Sequence, residues 1–399
     1  MLTKKILLGV TGSIAAYKAA DLIRRLRKDG YFVQVIMTQS AKEFITSLTL
    51  QALSGNPVLE NMWDVSEGNG MEHISLSRGA DLILIAPASA NFIAKIANGI
   101  ADDLLSNLCL ARNCPLLVAP AMNMEMFSNN ATQRNLATIK NDGVLVSGPD
   151  QGDQACGEIG MGRLINIESL MLDIRKSTSD LPFKGKKILV STGATVEKID
   201  EARAITNLSS GLMGFCLASA AYEFGAEVTV INGVSSYNIP SCIKTINAHN
   251  HSEMHEAVNN HIKNNDIYIS VAAISDFKPI ASEGKIKKNN EKITLDLLPT
   301  QDILGSVGKD KGNTFLVGFA AESSNLISNA KHKLISKNID IVIGNLISQS
   351  MGKSSAEVVI IDKESETRFP NAEKSELSKT ILMHIHKIYL KEKTDEPIN

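Results

Sequence analysis

The chain has 399 residues, 41 Lys plus Arg against 43 Asp plus Glu, a formal net charge of −2 and 44% hydrophobic residues. That length allows two buried cores, and the even charge excludes an electrostatic footprint for nucleic acid or an anionic membrane. Five cysteines, an odd number without C-x-x-C spacing, exclude a disulfide framework and a zinc finger; no apolar run nears the roughly 20 residues of a membrane span and no signal peptide is visible, so a cytoplasmic protein is expected.

Apolar strand-like runs alternate with helical ones, which predicts an α/β fold with parallel sheets covered on both faces. The first strand is expected at 6–10, ending in Thr11-Gly12-Ser13. A helix follows with Ala19, Leu22, Ile23 and Leu26 on one face and Gly30 beyond its end. Gly12 and Ser13 thus stand at a helix mouth, where unpaired N–H groups favour a phosphate. There is no G-x-G-x-x-G, so a mononucleotide fits better than a dinucleotide.

Further strands are expected at 33–37, 82–86, 116–119 and 144–146. Segments 86–91 and 120–126 follow strand ends, where open α/β sheets bind ligands. Asn123 can both donate and accept, which suits a carboxylate or an amide; the neighbouring Met122, Met124 and Met126 also read as core filling. His73, after Met71-Glu72, is either a candidate base or a structural histidine. In 152–163, Cys156 lies among Gly157, Gly160 and Gly162, and Arg163 closes the run. This reads as a flap that presents a thiol and a planar cation to an anionic substrate.

The polar stretch 177–185 marks the domain junction, giving domains at 1–178 and 187–399 with a linker at 179–186. A second strand–turn–helix begins at Lys187, and strands are expected at 228–231, 267–271, 315–319, 341–343 and 358–361. Residues 206–214, Thr-Asn-Leu-Ser-Ser-Gly-Leu-Met-Gly, read as a phosphate or carboxylate cradle, or as a capped helix start. A basic cluster, Lys285-Ile-Lys-Lys288, follows Asp276, and Lys333 and Lys337 are spaced to share a helix face. His249, His251, His255 and His261 read as a solvated helix face, and 391–399 as a frayed end.

Gly12-Ser-Ile-Ala-Ala-Tyr-Lys18, His73, Pro120-Ala-Met-Asn123, Ala155-Cys156-Gly157 and Gly162-Arg163 together resemble the flavin-dependent cysteine decarboxylases. Nearly the whole chain resembles the bifunctional bacterial family of coenzyme A synthesis that fuses phosphopantothenoylcysteine decarboxylase to phosphopantothenate–cysteine ligase. The resemblance implies two Rossmann-like three-layer domains, a flavodoxin-like flavoprotein domain and a nucleotide-binding ligase domain. For the first it implies FMN on Gly12, Ser13, Ile14, Ser40 and Ser89, and substrate on Met122, Asn123, Ala155 and Arg163. Cys156 would be the proton donor, Asn123 the holder of the substrate carboxylate and His73 the base.

For the second half the resemblance implies CTP with Mg2+, activation of phosphopantothenate as an acyl-cytidylate, and attack by the cysteine amine. Asn207 and Lys285 would be catalytic. The nucleotide would meet Ser270, Val271, Ala272, Asp276, Lys285, Gln301, Asp302, Ile303, Leu304, Phe319, Lys333 and Lys337, with Asp276 also at the metal. Trimeric packing of the first half and dimeric packing of the second imply a large homo-oligomer, up to a dodecamer.

This half departs from the family pattern where Gly193-Ala-Thr-Val-Glu-Lys-Ile-Asp-Glu-Ala-Arg203 replaces G-P/G-T-x-E-x-I-D-P-V-R, and where Gln301-Asp-Ile303 replaces P-D-I. Leu212 replaces the lysine of S-S-G-K-M-G, which removes a charge-assisted contact of about 1.5–3 kcal/mol. The alternative is therefore a decarboxylase whose second domain is a non-catalytic nucleotide-binding or assembly module. A flavin prenyltransferase-like or peptide cysteine decarboxylase role fits less well with Cys156 on its clamp and the attached second domain.

Overall fold

The computed structural model describes residues 3–62, 76–287 and 293–395. The chain divides into two compact units, Met1–Ser179 and Asp180–Asn399.

In the first unit, β1 (Lys5–Val10), β2 (Phe32–Met37), β3 (Leu82–Ala88), β4 (Leu116–Pro120) and β5 (Leu145–Val146) form a parallel sheet in the order β2-β1-β3-β4-β5. This is the flavodoxin-like order, and it opens a crevice where the winding reverses, between β1 and β3. The strands are apolar without alternation because both faces are covered. Ile6, Leu8 and Val10 pack with Leu22, Ile23 and Leu26 of helix Ala19–Lys28 and Leu170 and Ile174 of helix Ile167–Thr178. Leu7, Ile83 and Ile85 pack on the other face against helices Ala90–Ala97, Leu104–Ala111 and Asn130–Asn141. The flap is an antiparallel hairpin, β6 (Asp150–Asp153) with β7 (Ile159–Arg163), outside the main sheet.

The second unit contains β8 (Lys187–Thr192), a small hairpin of β9 (Val196–Lys198) and β10 (Ala204–Thr206), β11 (Glu227–Asn232), β12 (Lys244–Asn247) and β13 (Ile267–Ser270). A second hairpin pairs β14 (Phe277–Pro279) with β15 (Leu297–Pro299). The remaining strands are β16 (Phe315–Glu322), β17 (Ile341–Leu346), β18 (Ser355–Ile361) and β19 (Glu366–Glu373). The main sheet runs β12-β11-β8-β13-β16-β17-β18-β19, with its reversal between β8 and β13.

That sheet is not wholly parallel: β18 and β19 are antiparallel to their neighbours. Residues 347–354 are too few for the crossover of about a dozen that parallel neighbours need. Three other expectations change. Within 179–186, Phe183 is fully buried, its N–H donates to Phe224 O at 3.0 Å, and its ring meets His386 edge-on at 5.0 Å. On helix His251–Ile262, His251 faces the core rather than solvent, with Nε2 2.7 Å from Gln301 O, and His255 stacks on it. Residues 391–395 are not frayed but continue helix Lys374–Asp395, which buries Leu377, Ile381, Leu382, Ile385 and Tyr389 at helical spacing. Among the described residues no helix is long and apolar enough to cross a membrane.

Candidate active sites

The reversal in the first sheet opens into a cleft of about 730 Å³ lined by Gly12, Ser13, Ile14, Tyr17, Lys18, Ser89, Met122, Asn123, Gln154, Ala155, Cys156 and Arg163. Thr11 ties the two strand ends together: its hydroxyl donates to Pro87 O at 2.8 Å and accepts the Ser89 N–H at 2.9 Å. Ser13 turns the chain into the short helix Ile14–Lys18, its Oγ accepting the Ala15 N–H at 3.3 Å. Gly12 is required by contact, since a Cβ there would lie 2.5 Å from Ser40 Cβ. Exposed Ser40 thus packs directly against the Gly12 turn.

This donor set fits a flavin mononucleotide. A glycine–serine turn at a helix mouth suits the phosphate, and the exposed apolar side chains of Ile14 and Met126 offer a surface for a planar ring.

Opposite that turn, the hairpin is fastened to the loop after β4. Met122 N–H donates to Gly162 O at 2.9 Å, and a Cβ at Gly162 would lie 2.4 Å from Met122 O. Met124 N–H donates to Gln154 Oε1 at 3.0 Å. Asn123 caps helix Met124–Ser128, its Oδ1 accepting the Glu125 N–H at 2.8 Å, which fixes where its amide nitrogen points. That nitrogen lies 2.6 Å from Glu158 Oε2 and 3.4 Å from Cys156 Sγ, and the Cys156 thiol donates to the same carboxylate oxygen at 3.3 Å.

Cys156 is exposed, whereas burial pushes Cys109 up to about 12 and Cys216 up to about 11. Burial, and then the nearby Arg163, lower the pKa of Lys18, so two cations stand together on one side of the cleft. His73 lies outside the described residues.

In the second unit, the ends of β8 and β13 are joined across the reversal. Ser275 N–H donates to Thr195 Oγ1 at 3.0 Å, and Asn207 Nδ2 donates to Ala273 O at 3.1 Å. Val271, Ala272 and Phe319 share a small cavity with the 209–214 loop, while Ser270 is buried at the end of β13. Asp302 caps helix Ile303–Lys309, accepting the Gly305 N–H at 3.0 Å, and Lys337 Nζ reaches the same oxygen at 3.0 Å. Burial works against the Asp302 carboxylate, but those two partners hold it below its ordinary pKa.

Lys333 donates to Phe319 O, and burial, helped by Lys337, lowers it to about 8. The two lysines do not present a free helix face, because Lys337 already ends helix Leu326–Ser336. Asp276, Asp302 and Glu322 all act electrostatically on Lys333, so these groups share one neighbourhood. Ile303 and Leu304 are buried beneath it, and Gln301 contributes its carbonyl to His251.

Lys285 is exposed, on a segment anchored by its neighbour: Arg203 donates to Ile286 O at 2.7 Å and Ile286 N–H donates to Asp200 Oδ2 at 3.1 Å. Arg203 and three backbone N–H groups hold Asp200 well below the usual carboxylate range. Among the described residues no three His, Cys, Asp or Glu converge as a metal site. A single carboxylate such as Asp276 still suffices for Mg2+ that arrives with nucleotide phosphates.

The Flavoprotein family matches residues 1–179, and the DNA/pantothenate metabolism flavoprotein C-terminal domain matches residues 183–389. The coenzyme A biosynthesis bifunctional protein CoaBC of Vibrio vulnificus is 42% identical over 389 residues, 96% of this chain and 97% of its own length. Its counterpart in Escherichia coli K12 is 42% identical over 355 residues, 87% of each chain. The chain belongs to this family. A crystal structure of a CoaBC C-terminal domain covers 53% of this chain and 100% of its own at 32% identity, with a TM-score of 0.47.

Members of this family join a phosphopantothenoylcysteine decarboxylase to a phosphopantothenate–cysteine ligase, and this chain is such a bifunctional enzyme of coenzyme A biosynthesis. The sequence reading missed Glu158, Gln154 and Lys18 in the first site, and Asp200 and Arg203 in the second. Lys18 lay inside a quoted motif, and a cation one helical turn beyond Ser13 was the available signal. Glu158, two residues from Cys156, gave none, because only the hairpin turn brings its carboxylate onto Asn123.

Proposed function

We propose that the first unit decarboxylates phosphopantothenoylcysteine with FMN seated on Gly12, Ser13, Ile14, Ser40 and Ser89. Bound there, FMN supplies the two-electron oxidation of the substrate thiol that makes loss of carbon dioxide possible, and the electrons returned afterwards. Asn123 directs its amide N–H at the departing carboxylate, Met122 and Ala155 line the substrate's path, and Lys18 and Arg163 neutralise its phosphate. Cys156 delivers the proton that the decarboxylated enethiolate takes up as the electrons return, and His73 serves as base. The observation that carries this reading is the convergence of Asn123, Cys156 and Arg163 on the cleft that begins at the Gly12 turn.

The second unit, on the same proposal, uses CTP and Mg2+ to activate the carboxylate of phosphopantothenate. Val271, Ala272 and Phe319 line the nucleotide's seat. Lys333 and Lys337 face its phosphates and Asp276 meets the metal. Lys285 stabilises charge as pyrophosphate departs, and Asn207 holds the acyl-cytidylate for attack by the cysteine amine. The chain works as a cytoplasmic homo-oligomer, with trimeric contacts through the first unit and dimeric contacts through the second.

The purified protein should be yellow and release FMN on denaturation. With phosphopantothenate, cysteine, CTP and Mg2+ it should form CMP and carbon dioxide in equal amounts. A colourless protein that riboflavin phosphate does not reconstitute would reject the first assignment, and absence of CMP the second.

A further inference from the structure

We propose that Lys374 is a binding residue of the ligase half, its ammonium supplying positive charge to a substrate phosphate held at the 209–214 loop, where Leu212 brings none. The proposal rests on the ligase reading of this unit and adds to it a residue that neither the sequence motifs nor the family resemblance assigned.

The 209–214 loop leads into helix Leu212–Glu223, whose N-terminal position, Gly211, is left-handed and offers no side-chain cap. A cavity of about 170 Å³ opens beside this loop, and Phe319, Asn345 and Lys374 are among the other residues that line it. That volume has room for the phosphate group of a ligand whose remainder extends out of the cavity.

Lys374 opens helix Lys374–Asp395 and is only 7% exposed. Its Nζ donates to Ser350 O at 2.9 Å and to Lys353 O at 2.8 Å, and an ammonium has three protons to give. No acidic group among the described residues pairs with it. A buried cation without a counter-ion is costly, and carbonyl oxygens orient it without neutralising it. Burial accordingly lowers its pKa. An anion arriving from solution completes the site, and the hydroxyl-rich loop that shares the cavity is suited to a phosphate. Both a nucleotide and phosphopantothenate carry that group.

The test uses the full chain. Lys374→Gln keeps a side-chain donor for the two carbonyls and removes the charge. Calorimetric titration with Mg–CTP, and separately with 4'-phosphopantothenate, should show affinity falling about ten- to hundredfold for one of them, the loss that accompanies a charge-assisted hydrogen bond. The ligand affected identifies the phosphate. Decarboxylation of phosphopantothenoylcysteine should be unchanged. Leu212→Lys in the Lys374→Gln background returns an ammonium to the loop and should recover most of the loss; no recovery would assign the loss to packing and overturn the proposal.

Native affinity for both ligands in folded Lys374→Gln overturns it as well. If wild type binds neither ligand and releases no CMP, the ligase reading itself falls and takes this proposal with it. Should Lys374→Gln not fold, the native enzyme can be treated with cyanate, which carbamylates neutral amines and is small enough to enter the cavity. Labelling of Lys374 that either ligand prevents supports the proposal, and absence of protected label there overturns it.

Discussion

Asn123 Nδ2 and Glu158 Oε2 lie 2.6 Å apart, so the amide proposed to hold the substrate carboxylate is engaged by a carboxylate of the protein. Glu158 stands where the substrate's anion would arrive, and its oxygen also receives the Cys156 thiol proton. On the proposed reading, substrate displaces Glu158 from Asn123 and leaves the glutamate to orient the thiol alone. Glu158→Gln removes the competing anion and weakens the thiol's acceptor. KM for phosphopantothenoylcysteine should stay level or fall while kcat drops about tenfold, a barrier change of about 1.4 kcal/mol. A rise in KM at constant kcat would contradict this arrangement.

The cysteines should separate sharply by reactivity. Only a thiolate alkylates, and a thiol raised to about 12 by burial, as at Cys109, is ionised at pH 8 to roughly one part in ten thousand. Iodoacetamide should therefore modify exposed Cys156 first and leave Cys109 and Cys216 unmodified until the chain unfolds. Peptide mapping over time reads the order, and loss of decarboxylation should track Cys156 alone. Early modification of Cys109 would show that its core opens.

The parallel strands of both sheets were legible because the central ones are short, largely unbroken apolar runs, whereas the flavodoxin-like winding was implied only by the family resemblance. Parts that depend on short connections were not legible. The antiparallel return at β18 follows from the length of 347–354, and Phe183 and His251 are buried by partners distant in sequence. At the first site, Gly12, Ser13, Asn123 and Cys156 could be found because motif and strand end coincide. Glu158 and the Asp200–Arg203 pair are set by contacts that single-residue chemistry does not announce.

Lys333 gives the ligase half a pH signature. Its burial lowers the ammonium to about 8, so the charge proposed to face the nucleotide is present below that value and lost as pH rises through it. Ligase kcat/KM for CTP should fall above about pH 8, and Lys333→Arg, which stays charged, should flatten that limb. Stability moves the other way. Between about 8 and 10.5 the unfolded chain retains a proton that the folded chain has released, so this group makes folding more favourable as pH rises across that window. An unchanged pH limb in Lys333→Arg would assign the titration elsewhere.

Asp200 positions the segment that carries Lys285. Its buried carboxylate binds Arg203 and the Ile286 N–H together, and Arg203 returns a bond to Ile286 O. Because its pKa is depressed, the latch is ionised at neutral pH and is lost only in strong acid. Asp200→Asn should lower ligase kcat tenfold or more, leave decarboxylation intact, and quicken tryptic cleavage after Lys285 and Lys287. Unchanged cleavage alongside reduced activity would mean that Asp200 acts by some route other than anchoring.

Asn207 offers the sharpest separation of the two ligase steps. Its amide donates to Ala273 O at 3.1 Å, just beyond β10, where Thr206 fastens to Thr195 O at 2.8 Å. The side chain is thereby fixed beside the reversal between β8 and β13, and its carbonyl oxygen has no hydrogen-bond donor among the described residues. Asn207→Asp is nearly isosteric, yet it loses the donor and sets a carboxylate against the Ala273 carbonyl, so it must turn away from its present position. Activation by CTP, proposed to depend on the lysines and Asp276, should continue, and pyrophosphate should still form in a first turnover. Amide formation should fall at least a hundredfold, with the acyl-cytidylate accumulating to a level that mass spectrometry detects and CMP release stalling. If this variant joins cysteine at the native rate, Asn207 has no part in the second step.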